Sequence, residues 1–302
     1  MKILVTGHRG LLGSACVRYY HGHEVLTIEG DLTDESMVRY WFDKNRPEWV
    51  IHAAAKVGGV KANRDQPVDF LITNLKMQNI VIQAAAEFGV KKLVFIGTSC
   101  MYPRYAPMPV SESSFMTGPL EPSVESYAVA KMAGYALCRA YRAQYGLSMV
   151  TVCPCNLYGL NDNYGPSAHC IPALLKRMLD ASYKNEPSIK IWGDGSQTRE
   201  FMSADDAAYA ISVILDRYDD PDLINIGTGQ GTKLWQLAYI LRDVTGYQGA
   251  IEWDTSQPQG IPSKTFDITK ISSLGWSPRI NLRDGLSDTL RDYLSHPTRR
   301  LK

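Results

Sequence analysis

Tyr127 and Lys131 stand four residues apart in Tyr127-Ala128-Val129-Ala130-Lys131, about thirty residues after Thr98-Ser99-Cys100. On a helix, residues four apart share one face, so the ammonium lies one turn from the phenol. A nearby cation favours the phenolate, and unperturbed tyrosine, titrating near ~10, transfers protons poorly at neutral pH without such help. The chemistry on offer is therefore proton transfer by a tuned phenol. The spacing recurs by chance in many helices, so the elements that hold the pair decide its meaning.

The chain opens with an apolar β-type run, Lys2-Ile3-Leu4-Val5-Thr6, which empties into Gly7-His8-Arg9-Gly10-Leu11-Leu12-Gly13 and then helix-forming Ser14-Ala15-Cys16-Val17-Arg18. Strand, glycine turn and helix are the context of a dinucleotide site, where the backbone approaches a pyrophosphate resting on a helix N-terminus. The Gly-x-x-Gly-x-x-Gly spacing resembles the extended branch of the short-chain dehydrogenase/reductase superfamily. A second strand, Glu24–Ile28, is expected to end beside the adenine ribose. Glu29 and Asp31 there suit the free 2′-hydroxyl of NAD(H), whereas His8 and Arg9 suit the phosphate of NADP(H). NADP(H) is the reading taken, with NAD(H) the lesser alternative and Asp31-Leu32 the turn that contacts adenine. The segment from Glu29 to Asp34 is too short for a full helix.

Trp49 to Ala55 reads as a buried parallel strand whose small Ala53, Ala54 and Ala55 let the pyrophosphate side of the cofactor pass close, with His52 as a structural residue. An amphipathic helix follows from Val68 to Phe88, with Gly89 as its stop. The fourth strand, Lys92–Ile96, carries Gly97-Thr98-Ser99-Cys100 at its carboxyl end, the edge where ligands sit in open α/β sheets. A Pro-, Ser- and Glu-rich loop from Pro103 to Ser126 precedes the Tyr127 helix, and the strand Ser148–Cys153 ends in Pro154-Cys155-Asn156-Leu157-Tyr158-Gly159. The expected fold class is α/β, a Rossmann-type doubly wound parallel sheet with right-handed crossovers and a smaller, interleaved C-terminal substrate-binding domain. Residues 1–158 form the nucleotide-binding part, with a returning segment near 201–228, and residues 159–302 are mainly substrate-binding.

Composition excludes other classes. The 302 residues are 45% hydrophobic, enough to fill a core, and the net charge of +1 supplies no global field for nucleic acid or an anionic membrane. No apolar run approaches the ~20 residues of a membrane span, and the first residues run straight into a strand, which points to the cytoplasm. Cys16, Cys100, Cys138, Cys153, Cys155 and Cys170 are spread through apolar stretches, as expected of reduced thiols. Cys153 and Cys155 with His169 and Cys170 fit no zinc spacing, so no metal is expected.

Seven segments together resemble the GDP-L-fucose synthase family, in order, from residue 1 to about 280: residues 7–15, 52–59, Ser99-Cys100-Met101-Tyr102-Pro103, 127–131, 154–159, His169-Cys170-Ile171-Pro172-Ala173 and 192–201. That family converts GDP-4-keto-6-deoxy-D-mannose to GDP-L-fucose by epimerising C3 and C5 and reducing C4 with NADPH. The resemblance implies Cys100 as base and His169 as acid in epimerisation. It implies Tyr127 as proton donor in reduction, aided by Lys131, with Thr98, where the family usually has serine, bonding the C4 oxygen. It further implies cofactor contacts from Gly7 to Gly13 and from Pro154, Asn156, Leu157 and His169. Substrate contacts are implied from Ser99, Asn156, Cys170, Leu174, Arg177, Trp192, Arg199 and Lys264, the cations holding the GDP diphosphate. Reference values of ~8.5 for a thiol and ~6.5 for an imidazole bracket the working range of such proton exchange.

Three departures bear on the substrate: Ser126 in place of the usual proline, a shortened loop between Gly159 and His169, and the abbreviated segment after the second strand. They leave open C4 reduction of a related GDP-4-keto-6-deoxy-sugar such as a heptose, with or without epimerisation, and an NAD-retaining nucleotide-sugar 4-epimerase or dehydratase. A non-catalytic nucleotide-sensing protein is a third class, against which the intact Tyr127 and Lys131 count. The helices near 68–88 and 127–145 carry apolar residues beyond one stripe, so a homodimer through a four-helix interface is expected. The basic segment from His296 to Lys302 is expected to fray.

Overall fold

Burial is complete where the sequence is most apolar: Ile3, Leu4 and Val5 have no exposed surface, and neither do Val50, Ile51, Val94 and Phe95. The computed structural model describes residues 1–256 and 261–296; residues 297–302, most of the tail expected to fray, lie outside the described residues. The chain begins β1 (Lys2–Thr6), α1 (Leu11–Tyr19), β2 (Glu24–Thr27), α2 (Glu35–Asn45), β3 (Trp49–His52), α3 (Val60–Asp65), α4 (Pro67–Glu87) and β4 (Lys92–Ile96). It continues through α5 (Glu125–Tyr145), β5 (Met149–Pro154), β6 (Asn156–Tyr158), α6 (Cys170–Tyr183), β7 (Ser188–Trp192), β8 (Thr198–Ser203) and α7 (Ala204–Arg217). The remaining elements are β9 (Ile224–Ile226), β10 (Gly231–Lys233), α8 (Leu234–Thr245), β11 (Ala250–Asp254), β12 (Ser263–Lys264), α9 (Thr269–Ser273) and α10 (Leu282–Ser295).

Six strands pair in the order β2-β1-β3-β4-β5-β9, every pair parallel. Such strands, covered on both faces, must be apolar throughout, which is why they read as continuous hydrophobic runs. One core joins the sheet to α1 and α7, through Ala15, Cys16, Ile211 and Ile214. The opposite core joins it to α2 and α4, through Val38, Phe42, Val81 and Ile82. The fold is a doubly wound Rossmann-type sheet. Its order reverses between β1 and β3, which opens a crevice at their carboxyl ends. A third core lies apart from the sheet, where Leu174, Leu175 and Met178 of α6 pack with Leu237 and Leu241 of α8 and Leu286 of α10.

Helix α2 is not anticipated by the sequence pattern. Asp34 caps it, its side chain accepting from Met37 N at 3.0 Å, and only Val38 and Phe42 are buried along it. The segment from Glu29 to Asp34 is indeed short, but it leads into this helix.

Candidate active site

Gly7 leaves β1 with φ +70°, a conformation that favours glycine, and a Cβ there would lie 2.8 Å from the Ala54 backbone. A Cβ at Gly13 would lie 2.1 Å from the Gly7 carbonyl oxygen. The turn is thus pressed between α1 and the end of β3, which brings Gly7–Gly13 beside Ala53 and Ala54 at the switch point. Gly10 caps α1 without a side-chain hydrogen bond, so the N–H groups of Leu11, Leu12 and Gly13 keep their capacity to meet an anion. These features fit a dinucleotide pyrophosphate: a flat glycine cradle, uncapped helix amides and small neighbours. His52 is fully buried, its Nδ1 2.8 Å from Thr6 Oγ1, and burial next to Lys131 pushes its imidazole down to about 3. It is a neutral structural residue.

At the end of β2, Glu29 Oε1 accepts from His8 Nε2 at 2.9 Å, and Arg9 pairs with the other carboxylate oxygen. Asp31 bonds Thr33 N at 2.9 Å, which with the Thr33 side chain holds its carboxyl below the usual range. Leu32 turns into the core beside Phe42, leaving Asp31 as the exposed member of that turn.

The reactive set gathers where β4 ends. Thr98 Oγ1 accepts from Cys100 N at 3.3 Å, and the Thr98 hydroxyl stands near enough to the Tyr127 phenol to act on it. Burial pushes the Tyr127 phenol above its ordinary value and the Cys100 sulfur adds to this, while the Thr98 hydroxyl opposes it. Lys131 Nζ donates to the Ile96 carbonyl at 2.9 Å and sits 4.7 Å from the centre of the Phe95 ring. Burial brings its amine down to about 7. The expectation that Lys131 lowers the phenol therefore does not describe the protein alone: the lysine is turned to the strand end, and burial dominates both groups. The phenol is accordingly protonated at neutral pH.

A cationic wall faces this set across β8. Lys264 on β12 is the register partner of Arg199 on β8, and Lys264 Nζ donates to the Ser99 carbonyl at 2.6 Å. Burial lowers Lys264, while the nearby Cys100 and Cys153 sulfurs oppose it. Arg199 and Arg177 both act electrostatically on Cys170, and burial lowers both guanidiniums. Geometry joins Lys264 to the Ser99 carbonyl next to Cys100 and to its register partner Arg199, and Cys170 and Arg177 share α6, so that these side chains stand in a row. Lys264, expected on the diphosphate, lies at the thiol end of that row. His169 caps α6, and the bond from Gly59 N to the Ser167 carbonyl at 3.0 Å ties its loop to the segment after β3. His169, Cys170 and Arg177 are open to solvent, yet the surrounding protein shifts each of them.

The model of the NAD dependent epimerase/dehydratase family matches residues 3–227. GDP-L-fucose synthase 1 of Arabidopsis thaliana is 46% identical over 302 residues, covering 98% of this chain and 94% of that protein. The chain belongs to the GDP-L-fucose synthase family. Among solved structures, a GDP-L-fucose synthetase from Naegleria fowleri bound to NADP superposes with a TM-score of 0.90 at 28% identity, over 100% of this chain and 95% of that one. A GDP-mannoheptose C4 reductase from Campylobacter jejuni with NADP bound has a TM-score of 0.87 at 32% identity, over 97% and 98% of the two chains.

Set in a GDP-L-fucose synthase family member, the remaining candidates separate. Pro154 ends β5 buried, and Leu157 packs against the sheet core. Exposed Asn156 donates to the Glu200 carbonyl at 2.8 Å. Trp192 at the end of β7 is 57% exposed, whereas Leu174 is buried in the third core. Arg177 donates to the Lys190 carbonyl. Sequence reasoning missed Glu200. This buried carboxylate accepts from Phe266 N at 2.6 Å and Gly229 N at 2.8 Å, and so docks the segment carrying Lys264 against β8. A carboxylate directly before the apolar pair Phe201-Met202 was the available signal.

Proposed function

We propose that this enzyme converts GDP-4-keto-6-deoxy-D-mannose to GDP-L-fucose, epimerising C3 and C5 and then reducing C4. The observation that carries this reading is the juncture at the end of β4, where Thr98 bonds the Cys100 amide and Lys264, the register partner of Arg199, reaches the Ser99 carbonyl. A C4 ketone acidifies its neighbouring C–H bonds, and Cys100 removes those protons from one face. His169 returns protons to the other. Burial keeps His169 neutral at pH 7 in the protein alone; the diphosphate held by Arg177 and Arg199 brings negative charge that favours its protonated form. In the reduction, NADPH supplies the hydride when bound. Tyr127, protonated by virtue of its burial, gives its proton to the C4 oxygen that Thr98 orients, and Lys131, held to the Ile96 carbonyl, would have to turn from that bond to stabilise the phenolate left behind. Residues 1–158 hold the nucleotide cofactor and the later segments hold the sugar nucleotide.

A second reading, C4 reduction of a GDP-4-keto-6-deoxy-heptose, draws support from the likeness to the Campylobacter jejuni reductase. Incubation with GDP-4-keto-6-deoxy-D-mannose and NADPH in deuterated water separates the two. Deuterium at C3 and C5 with oxidation of NADPH supports the bifunctional enzyme. Reduction without deuterium leaves a plain C4 reductase, and no reaction with the hexose but turnover of the heptose establishes the second reading.

A second copy of the chain completes the assembly in this proposal. Helices α4 and α5 pack on each other, and Val68, Ile72 and Val129 remain exposed on them, as a four-helix pairing requires. Light scattering that returns a monomer at micromolar concentration would remove this part. Among the described residues no helix is long and apolar enough to cross a membrane. The six unpaired cysteines support placement in the cytoplasm.

A further inference from the structure

Acidic Glu29 and basic His8 and Arg9, which favour different nucleotides, are bonded to each other. Glu29, where β2 ends, takes His8 on one carboxylate oxygen at 2.9 Å and Arg9 on the other. His8 is held firmly, with only 17% of its side chain exposed. Both partners come from the glycine turn, so the three side chains form one cluster where the adenine ribose of a nucleotide on that turn would lie. A 2′-phosphate there needs unpaired cations and no carboxylate. A free 2′-hydroxyl needs a carboxylate to accept its hydrogen bond.

We propose that Glu29 sets the nucleotide preference, engaging both His8 and Arg9 and offering its carboxylate to a ribose hydroxyl, so that the enzyme accepts NADH alongside NADPH. Asp31 is not part of this cluster: its carboxylate accepts from Thr33 N within its own turn. Glu29 is 59% exposed on its side chain, so replacing it removes no buried contact and the fold is retained. The exposed Arg9 pair is individually weak. The effect of Glu29 therefore comes chiefly from its negative charge beside a phosphate, and removing that charge also frees Arg9.

The inference rests on the glycine turn being the nucleotide site, and equilibrium titration of the full chain with NADPH and with NADH tests both. Glu29→Gln is expected to raise the ratio of the NADH to the NADPH dissociation constant roughly tenfold, the worth of one charge-assisted bond. Adding Arg9→Ala to that variant is expected to remove only the smaller part of the gain, the share that the freed guanidinium supplies. A rise of threefold or more with Glu29→Gln sustains the proposal, and a smaller change or a fall overturns it with the site intact. Binding of neither nucleotide to the wild-type chain overturns the site reading and the proposal together, and a melting curve on each variant verifies that the titrated protein is folded.

Discussion

Lowering the pH from 7.5 to 5 is expected to cost the wild-type protein ~2 kcal/mol of stability through His52 alone. In the unfolded chain this imidazole titrates at its ordinary 6.5; in the fold, burial holds it at about 3. Below 6.5 the unfolded state therefore binds the proton that the native state refuses, and stability falls with falling pH until about 3. The chosen pH lies about 1.5 below the unfolded value, and each such step is worth ~1.4 kcal/mol. The site explains the refusal: Nδ1 meets Thr6 Oγ1, Nε2 has no partner among the described residues, Phe95 stacks at 5.9 Å, and the Lys131 charge opposes a second cation. The assay is urea unfolding of wild type and His52→Asn at both pH values. Asparagine keeps an amide near the Nδ1 position but cannot take the proton. It leaves a cavity whose cost is the same at both pH values, so only the difference between the proteins counts. His169 shifts in the same direction and is present in both proteins, so it cancels. Wild type should lose ~2 kcal/mol more than the variant; equal losses would refute the assignment of a neutral buried imidazole.

Three further outcomes follow from the site. Tyr127→Phe is expected to lower the reduction rate by about 10²–10⁴-fold while deuterium exchange at C3 and C5 survives, because only the reduction draws on the phenol; loss of both in a folded variant would contradict the division of roles. Lys264→Met removes the donor to the Ser99 carbonyl at 2.6 Å and a cation near Cys100. It is expected to slow exchange about tenfold more than reduction, measured on the same NMR samples. Gly13→Ala places a Cβ 2.1 Å from the Gly7 carbonyl oxygen, so the turn must shift. Titration should then show nucleotide affinity lowered by roughly tenfold or more, together with ~1–3 kcal/mol of destabilisation.

Some of this was written locally enough to be read. The strand Lys92–Ile96 is observed at the bounds expected of it, because a buried parallel strand must be apolar at every position. The glycine turn was legible for a similar reason: backbone geometry there forbids side chains, and the sequence obeys. The helix Glu35–Asn45 was not read, since only two of its eleven residues are buried and its stripe is too narrow to stand out. Leu32 and Leu174 looked like ligand contacts in the chain and are core residues in the fold.

Residue types and spacing by themselves determined the α/β class, the nucleotide turn and the short roster from which the chemistry is drawn. Which members of that roster meet was settled only by long-range packing. Lys264 reaches Ser99 across 165 residues because Glu200 docks its strand on β8. Lys131 turns to the Ile96 carbonyl and burial, not a neighbouring charge, governs Tyr127. Charge states and partners depend on distance and on how much water is excluded, and neither quantity exists until the chain has closed on itself.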